Sequence, residues 1–178
     1  MRFYRMIVLL IAAAAIGYGA PETITARAAT NTVKSVSKSS RTGLKLPRFV
    51  SLRADEVNVR AGPGVRYPVK WVFVRRHLPV EITAEFETWR KVRDSSGAEG
   101  WVHRAMLISR RNVVVVDKQT TIRRRPKGDS PAIARLNPGM VARVEECDAF
   151  WCNVTVQGYD GWLRRDGVWG LYPDERPK

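Results

Sequence analysis

The chain of 178 residues carries the same pattern of motifs twice, and this internal repeat limits the folds that it can adopt. Three pairs of motifs recur at offsets of 62, 61 and 63 residues: Trp89-Arg90-Lys91-Val92 with Trp151-Cys152-Asn153-Val154, Gly100-Trp101-Val102 with Gly161-Trp162-Leu163, and Asn58-Val59-Arg60 with Thr121-Ile122-Arg123. Offsets that agree within one residue on either side indicate two copies of a unit of about 60 residues. Since two copies are too few to share a stacked core, we expect each copy to close on itself.

Within a copy, the spacing of apolar residues is typical of short strands. Val57 and Val59 alternate with polar neighbours, Pro63-Gly64 predicts a turn, and residues 69–74 form a β-branched and aromatic run. No stretch of the repeated body has a sustained helical period with capping residues. The pattern therefore predicts an all-β protein with two tandem small barrels, each of about five strands, in which closure of the sheet removes exposed edges.

The N-terminal residues predict export. Arg2 and Arg5 precede an apolar run over residues 6–16, which is too short for a comfortable membrane span. The small-x-small pattern Ala26-Arg27-Ala28 predicts cleavage between Ala28 and Ala29. We interpret residues 1–28 as a signal peptide, with an uncleaved signal anchor as the alternative. The body is then periplasmic or extracellular, and no stable membrane span is expected after cleavage.

The remaining boundaries follow from composition. Residues 29–48 contain five basic residues, no acidic residue and a cluster of Ser and Thr, which predicts a flexible linker. A dedicated arm that binds an anionic surface is the alternative for this segment. We assign residues 49–109 to the first domain, residues 112–172 to the second and residues 173–178 to a C-terminal tail.

The formal charge of +14 indicates an anionic partner but does not choose one. Removal of residues 1–28 deletes three arginines and one glutamate, so the exported chain keeps +12. The basic run Arg123-Arg124-Arg125 would be compatible with nucleic acid, but export argues against nucleic acid as the ligand. Anionic polymers of the cell envelope are the better electrostatic candidates.

Few side chains are available for catalysis. The two histidines, His77 and His103, and the two cysteines, Cys147 and Cys152, do not have the spacing of a zinc site. Each histidine occurs in one copy only, and no serine lies in a Gly-x-Ser-x-Gly turn. The sequence therefore lacks the nucleophile or metal site that a cell-wall hydrolase needs. We expect that the protein is not an enzyme and that it has no catalytic residue, no metal and no cofactor.

The first copy resembles the bacterial SH3 domain family. Val57-Asn58-Val59-Arg60-Ala61-Gly62-Pro63-Gly64 is similar to the opening signature of that family, and the Trp-x-x-Val and Gly-Trp-Val motifs follow it. The second copy departs from the opening signature at residues 121–126 but keeps the later motifs. The stretch from Leu46 through both copies also resembles exported proteins with two such domains. The resemblance implies five- or six-stranded barrels outside the cytoplasm.

The alignment of the two copies also indicates a role for the two cysteines. Cys147 and Cys152 align with Glu85 and Arg90, and both pairs flank a hairpin loop of four residues. Opposite charges in one copy and cysteines in the other fit a cross-strand pair, and export supplies an oxidising compartment. We expect a structural disulfide, with a free thiol pair or a catalytic nucleophile as the alternatives.

The resemblance implies a module that binds the cell wall, because bacterial SH3 domains are often attached to cell-wall hydrolases. We expect peptidoglycan or another wall component to lie in an aromatic groove that an arginine rims. The candidate ligand-binding residues are Asn58, Arg60, Tyr67, Trp71, Trp89 and Trp101. For Trp101 and its counterpart Trp162, packing inside a small barrel is the competing interpretation. The competing function is a structural or protein-interaction module that binds an envelope protein and no wall component.

Overall fold

The computed structural model describes residues 42–177, so the predicted signal peptide, its cleavage site at Ala28 and Ala29, and residues 29–41 of the predicted linker lie outside the described residues. Within residues 42–177 there is no α-helix, and the chain forms two antiparallel sheets of seven strands each. The predicted all-β class with two tandem SH3-like units is confirmed.

The first sheet forms the first barrel, residues 48–108. Its strands are β1 (Arg48–Leu52), β2 (Val57–Arg60), β3 (Val69–Phe73), β4 (Pro79–Phe86), β5 (Trp89–Arg93), β6 (Glu99–His103) and β7 (Leu107–Ile108), with a 3₁₀ turn at Arg104–Met106. The order across the sheet is β3-β2-β6-β5-β4-β1-β7.

The second sheet forms the second barrel, residues 112–169, with the same topology. Its strands are β8 (Asn112–Val115), β9 (Thr120–Arg123), β10 (Ala132–Leu136), β11 (Val141–Cys147), β12 (Trp151–Val156), β13 (Tyr159–Arg164) and β14 (Val168–Trp169), with a 3₁₀ turn at Arg165–Gly167. The order is β10-β9-β13-β12-β11-β8-β14. Each strand of one barrel therefore has a counterpart in the other, as the repeat predicts.

Each barrel has a core of its own, built from alternate residues of its strands. In β2, Val57 and Val59 are buried and Asn58 between them is exposed. The cores consist mainly of valine and leucine, and each fully buried side chain of this kind contributes roughly 1.5–3 kcal/mol. Val59 and Val102 are completely buried in the first core, and Ile122 and Leu163 take the corresponding places in the second.

The glycine of the Gly-Trp-Val motif lies where no side chain fits. A Cβ atom on Gly100 would lie 2.3 Å from Cγ1 of Val59, and a Cβ atom on Gly161 would lie 2.6 Å from Cγ2 of Ile122. The missing side chain lets β6 pack closely against β2 in the first barrel, and β13 against β9 in the second. The motif is thus explained by packing inside the barrel.

The hairpin of β11 and β12 carries the disulfide. Cys147 and Cys152 lie opposite each other across the strands, and their sulfurs are bonded. In the first barrel, Glu85 and Arg90 lie opposite each other at the equivalent place, with Arg90 Nε 3.2 Å from Oε1 of Glu85. The structure therefore agrees with the cross-strand pairs that the repeat predicts.

The last residues of the predicted linker, residues 42–48, contact the first barrel. Thr42 donates a hydrogen bond from its hydroxyl to the carboxylate of Glu85 at 3.0 Å. Arg48 is the first residue of β1 and forms an ion pair with the same carboxylate. The buried carboxylate of Glu85 thus binds the end of the basic segment, since an unpaired charge at a buried position would be costly.

An aromatic and polar interface joins the two barrels. The ring of Phe49 in β1 lies 4.8 Å from that of Trp169 in β14 and 4.7 Å from that of Tyr172, measured between centroids. Next to them, Nδ2 of Asn112 donates to the hydroxyl of Ser51 at 2.8 Å, and both side chains are buried. Buried polar groups of this kind specify one arrangement because each needs its partner.

A buried carboxylate lies at the centre of this interface. Glu81 in β4 is only 4% exposed, and its Oε1 accepts a hydrogen bond of 2.6 Å from the hydroxyl of Tyr172. Its Oε2 accepts a bond of 2.9 Å from Nε of Arg93. Burial, followed by the bond to Glu81, raises the pKa of Tyr172 well above its usual range. The C-terminal segment is thereby attached to the first barrel.

Replacement of both cysteines by serine should lower the free energy of unfolding by about 2 kcal/mol, since the disulfide closes a loop of six residues in the unfolded chain. Urea unfolding with and without a reductant measures this. Reduction should shift the midpoint of the wild-type protein and leave that of the double variant unchanged. Equal midpoints for the oxidised and reduced wild-type protein would contradict the assignment.

The hydroxyl of Tyr172 should stabilise the protein below pH 10 and lose this effect in alkali. The folded protein keeps the proton while the unfolded chain releases it near the ordinary pKa of about 10, so stability falls as the pH rises above that value. Tyr172→Phe should be less stable than wild type by about 1–3 kcal/mol at pH 8. Urea midpoints at pH 8 and pH 11 should show this difference shrinking, and a constant difference would refute the explanation.

Candidate functional site

An open groove lies on the outer face of the first barrel, between β2, the start of β5 and the 3₁₀ turn. Its volume is about 390 Å³. The residues that line it are Glu56, Asn58, Arg60, Val65, Trp89, His103 and Met106. The structure therefore brings together three of the six predicted ligand-binding residues, Asn58, Arg60 and Trp89.

Strand alternation explains how these side chains meet. The burial of Val57 and Val59 turns Asn58 and Arg60 of β2 outward. Trp89 lies directly opposite His103 in the pairing of β5 with β6. The groove is thus formed by the residues that remain when alternate positions fill the core.

Trp89 and His103 form the aromatic part of the groove. Their rings meet edge to face with centroids 5.4 Å apart, and Trp89 is largely buried. Nδ1 of His103 accepts a hydrogen bond of 3.3 Å from the backbone N–H of Ala105, which places the proton of the neutral ring on Nε2. The imidazole is held in place by the 3₁₀ turn and keeps one N–H for a ligand.

Asn58 supplies an exposed amide at the edge of the groove. Within residues 42–177 its side chain makes no hydrogen bond, so both its carbonyl oxygen and its NH₂ group can bind a ligand. An amide beside an aromatic wall suits a ligand that has both apolar surface and hydrogen-bonding groups.

One nitrogen of the Arg60 guanidinium binds backbone carbonyls of its own loop, and the role of Arg60 as a carboxylate ligand stays a prediction. Its Nη1 donates to the carbonyls of Val65 at 3.0 Å and Tyr67 at 2.8 Å. Its counterpart Arg123 makes the equivalent bond to the carbonyl of Ser130 at 2.7 Å. Because both barrels use the arginine in this way, its main role is to hold the loop between β2 and β3, or between β9 and β10 in the second barrel.

Two predicted residues lie away from the groove. Trp71 pairs with the inward-facing Val59, packs against the core of the first barrel and does not line the groove. Tyr67 lies in the loop, where its ring covers Gly62 so closely that a Cβ there would be 2.5 Å from Cδ1 of the ring. Tyr67 closes the loop and is not among the residues that line the groove.

Trp101 and Trp162 do not fill the barrels, although packing there was the competing expectation. Their successors Val102 and Leu163 are completely buried, while the two tryptophans are half-buried on the outer faces. Trp101 lies opposite Arg60 in β2 and opposite Lys91 in β5. It therefore shares the outer face of the groove without lining the groove itself.

Sequence reasoning missed Glu56, Val65, His103 and Met106 as groove residues. The available signal is the 3₁₀ turn that follows Gly-Trp-Val, because a turn there brings His103 and Met106 back toward β2. Two exposed apolar side chains, Val65 and Met106, flank the polar groups and give the groove its apolar edge.

The second barrel differs at the equivalent place. Arg164 replaces His103, and its guanidinium lies 5.8 Å from the centroid of the Trp151 ring. The same guanidinium pairs with Asp166 at 2.8 Å. The two barrels therefore present different groups at this site, with an imidazole beside Trp89 in the first and an ion-paired guanidinium beside Trp151 in the second.

The described part of the chain contains no cluster of potential metal ligands. In residues 42–177, no three His, Cys, Asp or Glu side chains are grouped closely enough to hold a metal ion. Within the same range, none of the helical turns has the length and apolar character that crossing a membrane requires.

The repeated barrel and its motifs have a match among known families. Residues 53–108 and 116–170 each match the bacterial SH3 domain. The chain belongs to the bacterial SH3 domain family. This domain type is non-catalytic and is commonly a cell-wall-binding module.

The chain is similar to a protein of Bacillus subtilis (strain 168) that is named "Putative N-acetylmuramoyl-L-alanine amidase YrvJ". It is 26% identical over 129 residues, which cover 66% of this chain and 24% of that protein. The chain thus spans about a quarter of the relative's length.

Two solved structures, NlpC2 and NlpC1 from Trichomonas vaginalis, are similar at 12% identity with TM-scores of 0.34 and 0.32. The matches cover 72% and 70% of this chain, and 50% and 46% of those chains.

Replacement of Arg60 by methionine should lower the free energy of unfolding by about 1–2 kcal/mol, because the carbonyls of Val65 and Tyr67 lose a charged donor. Arg66→Met is the matched control in the same loop. Arg66 is exposed and stacks over Tyr67, so its loss should have a clearly smaller effect. Equal effects in urea unfolding would show that Arg60 does not hold the loop.

Proposed function

We propose that this protein is an exported, non-enzymatic module that binds the bacterial cell wall through the groove of its first barrel. The groove that Asn58, Trp89 and His103 form is the observation that carries this proposal. Family membership supports it, and so does similarity to a protein named as an amidase of N-acetylmuramoyl-L-alanine bonds.

The groove has the chemistry that a peptidoglycan fragment requires. The aromatic pair of Trp89 and His103 can cover the apolar part of a peptide stem or a sugar. The amide of Asn58 and the Nε2 proton of His103 can bind amide and hydroxyl groups beside it. The positive charge of the chain adds an attraction toward an anionic wall that does not depend on the groove.

Recognition is assigned to the first barrel alone, because the second barrel has an ion-paired Arg164 where the first has the N–H of His103. Thr121 occupies the position of Asn58 in the second barrel, which provides a matched control. A change at either position affects an outward-facing residue of an equivalent strand.

The test is retention of the full chain on insoluble peptidoglycan at low and at high salt. Wild-type protein should remain bound at high salt, because groove contacts are screened much less than the diffuse attraction of surface charge. Asn58→Ala should weaken binding about fivefold, which corresponds to one lost hydrogen bond. Thr121→Ala should bind like wild type.

Three results would reject the proposal. Release of the wild-type protein at high salt would leave charge as the whole interaction. Equal binding by Asn58→Ala and Thr121→Ala would exclude the groove. No retention at low salt would favour a module that binds an envelope protein instead.

A further inference from the structure

A second opening lies between the two barrels and belongs to neither alone. Its volume is about 520 Å³. The first barrel contributes Glu81, Arg93 and the turn after β5, and the second contributes Trp169 of β14 together with Tyr172. We call this opening the inter-barrel cleft. It is distinct from the groove, with which it shares no lining residue.

The polar groups of the inter-barrel cleft are fixed in place. The carboxylate of Glu81 is held between Tyr172 and Arg93. Arg93 uses Nε and Nη2 for this pair, its side chain is 46% exposed, and within residues 42–177 its Nη1 has no acceptor. The guanidinium therefore offers a positioned donor whose charge Glu81 already balances.

The turn after β5 is equally rigid. Oδ1 of Asp94 accepts hydrogen bonds from the backbone N–H of Ser96 at 2.9 Å and of Ala98 at 3.0 Å, and from the hydroxyl of Ser96 at 2.6 Å. The neighbouring hydroxyl of Ser95 makes no hydrogen bond within the described residues. The rim thus combines a free hydroxyl with a turn that does not need to rearrange.

Trp169 forms the apolar wall of the inter-barrel cleft, and the fold does not require its indole ring. The equivalent position in the first barrel, in strand β7, is Ile108, and that barrel closes with the same topology. Trp169 is half-buried, packs edge to face against Phe49 and lines the cleft. The indole ring therefore contributes both to the interface with Phe49 and to the wall of the inter-barrel cleft.

We propose that the inter-barrel cleft binds an uncharged saccharide, specifically amino-sugar units of the glycan strand; the choice of this polymer rests on the proposed function. A pyranose has a face of C–H groups that packs on an indole ring, and its hydroxyl and amide groups bind planar polar side chains and hydroxyls at its edge. Trp169, Arg93 and Ser95 provide these groups. The balanced charge of Arg93 and Glu81 suits a neutral ligand better than a peptide carboxylate.

Calorimetric titration of the full chain with chitotetraose, a neutral tetramer of β-1,4-linked N-acetylglucosamine, tests the inference. Wild-type protein should bind it with an affinity that sodium chloride does not change. Trp169→Ile, which installs the residue of the other copy, should bind about tenfold more weakly. Ser95→Ala, which removes a surface hydroxyl, should weaken binding by a smaller factor. Trp162→Ile, the same substitution outside the inter-barrel cleft, should bind like wild type.

The folding of each variant is checked by its urea midpoint, and Trp169→Ile should unfold cooperatively. Equal affinities for Trp169→Ile and Trp162→Ile, or no binding of chitotetraose by the wild-type protein, would overturn the inference. The proposed function would survive either result if retention on peptidoglycan still depended on Asn58. Conversely, Trp169-dependent binding of the tetramer without any effect of Asn58→Ala would support the inter-barrel cleft and reject the groove.

Discussion

A carboxylate that is buried away from water holds the two barrels in one arrangement. Glu81 lies on a central strand of the first barrel, and burial makes its charge costly unless every lone pair is matched. One partner, Arg93, comes from the adjacent strand, but the other, Tyr172, comes from beyond the last strand of the second barrel. The pairing of this one charge therefore couples the C-terminal segment to the first barrel and forms the floor of the inter-barrel cleft.

The fold could be predicted from the sequence because its signals are local and occur twice. The alternation around Val57 and Val59 places the core, and the two hairpins align Cys147 and Cys152 with an ion pair. The inward position of Trp71 also follows from alternation, because Trp71 lies two residues from the buried Phe73 in β3 and pairs with the buried Val59. An aromatic ring by itself does not distinguish a core residue from a ligand-binding one, so alternation is the better guide to its place.

The candidate site was predicted in part, for a related reason. Outward-facing residues of β2 follow from the pattern, whereas His103 and Met106 reach the groove through a 3₁₀ turn that no periodicity marks. The role of Arg60 depends on carbonyls in a loop, which composition does not reveal. The result is two barrels of the same topology with different surfaces: the shared motifs maintain the fold, and substitutions such as Arg164 for His103 change the groups beside the equivalent tryptophan.

The most direct measurement is an NMR titration of the isotope-labelled full chain with soluble muropeptides released from peptidoglycan by a muramidase. Binding in the groove predicts that shifts concentrate at the side-chain amide of Asn58, the indole N–H of Trp89 and the ring of His103. The side-chain methyl signal of Thr121 and the indole N–H signal of Trp151 should stay unchanged. Shifts confined to the second barrel, or no shifts at all at saturating fragment, would contradict recognition of the cell wall by the first barrel.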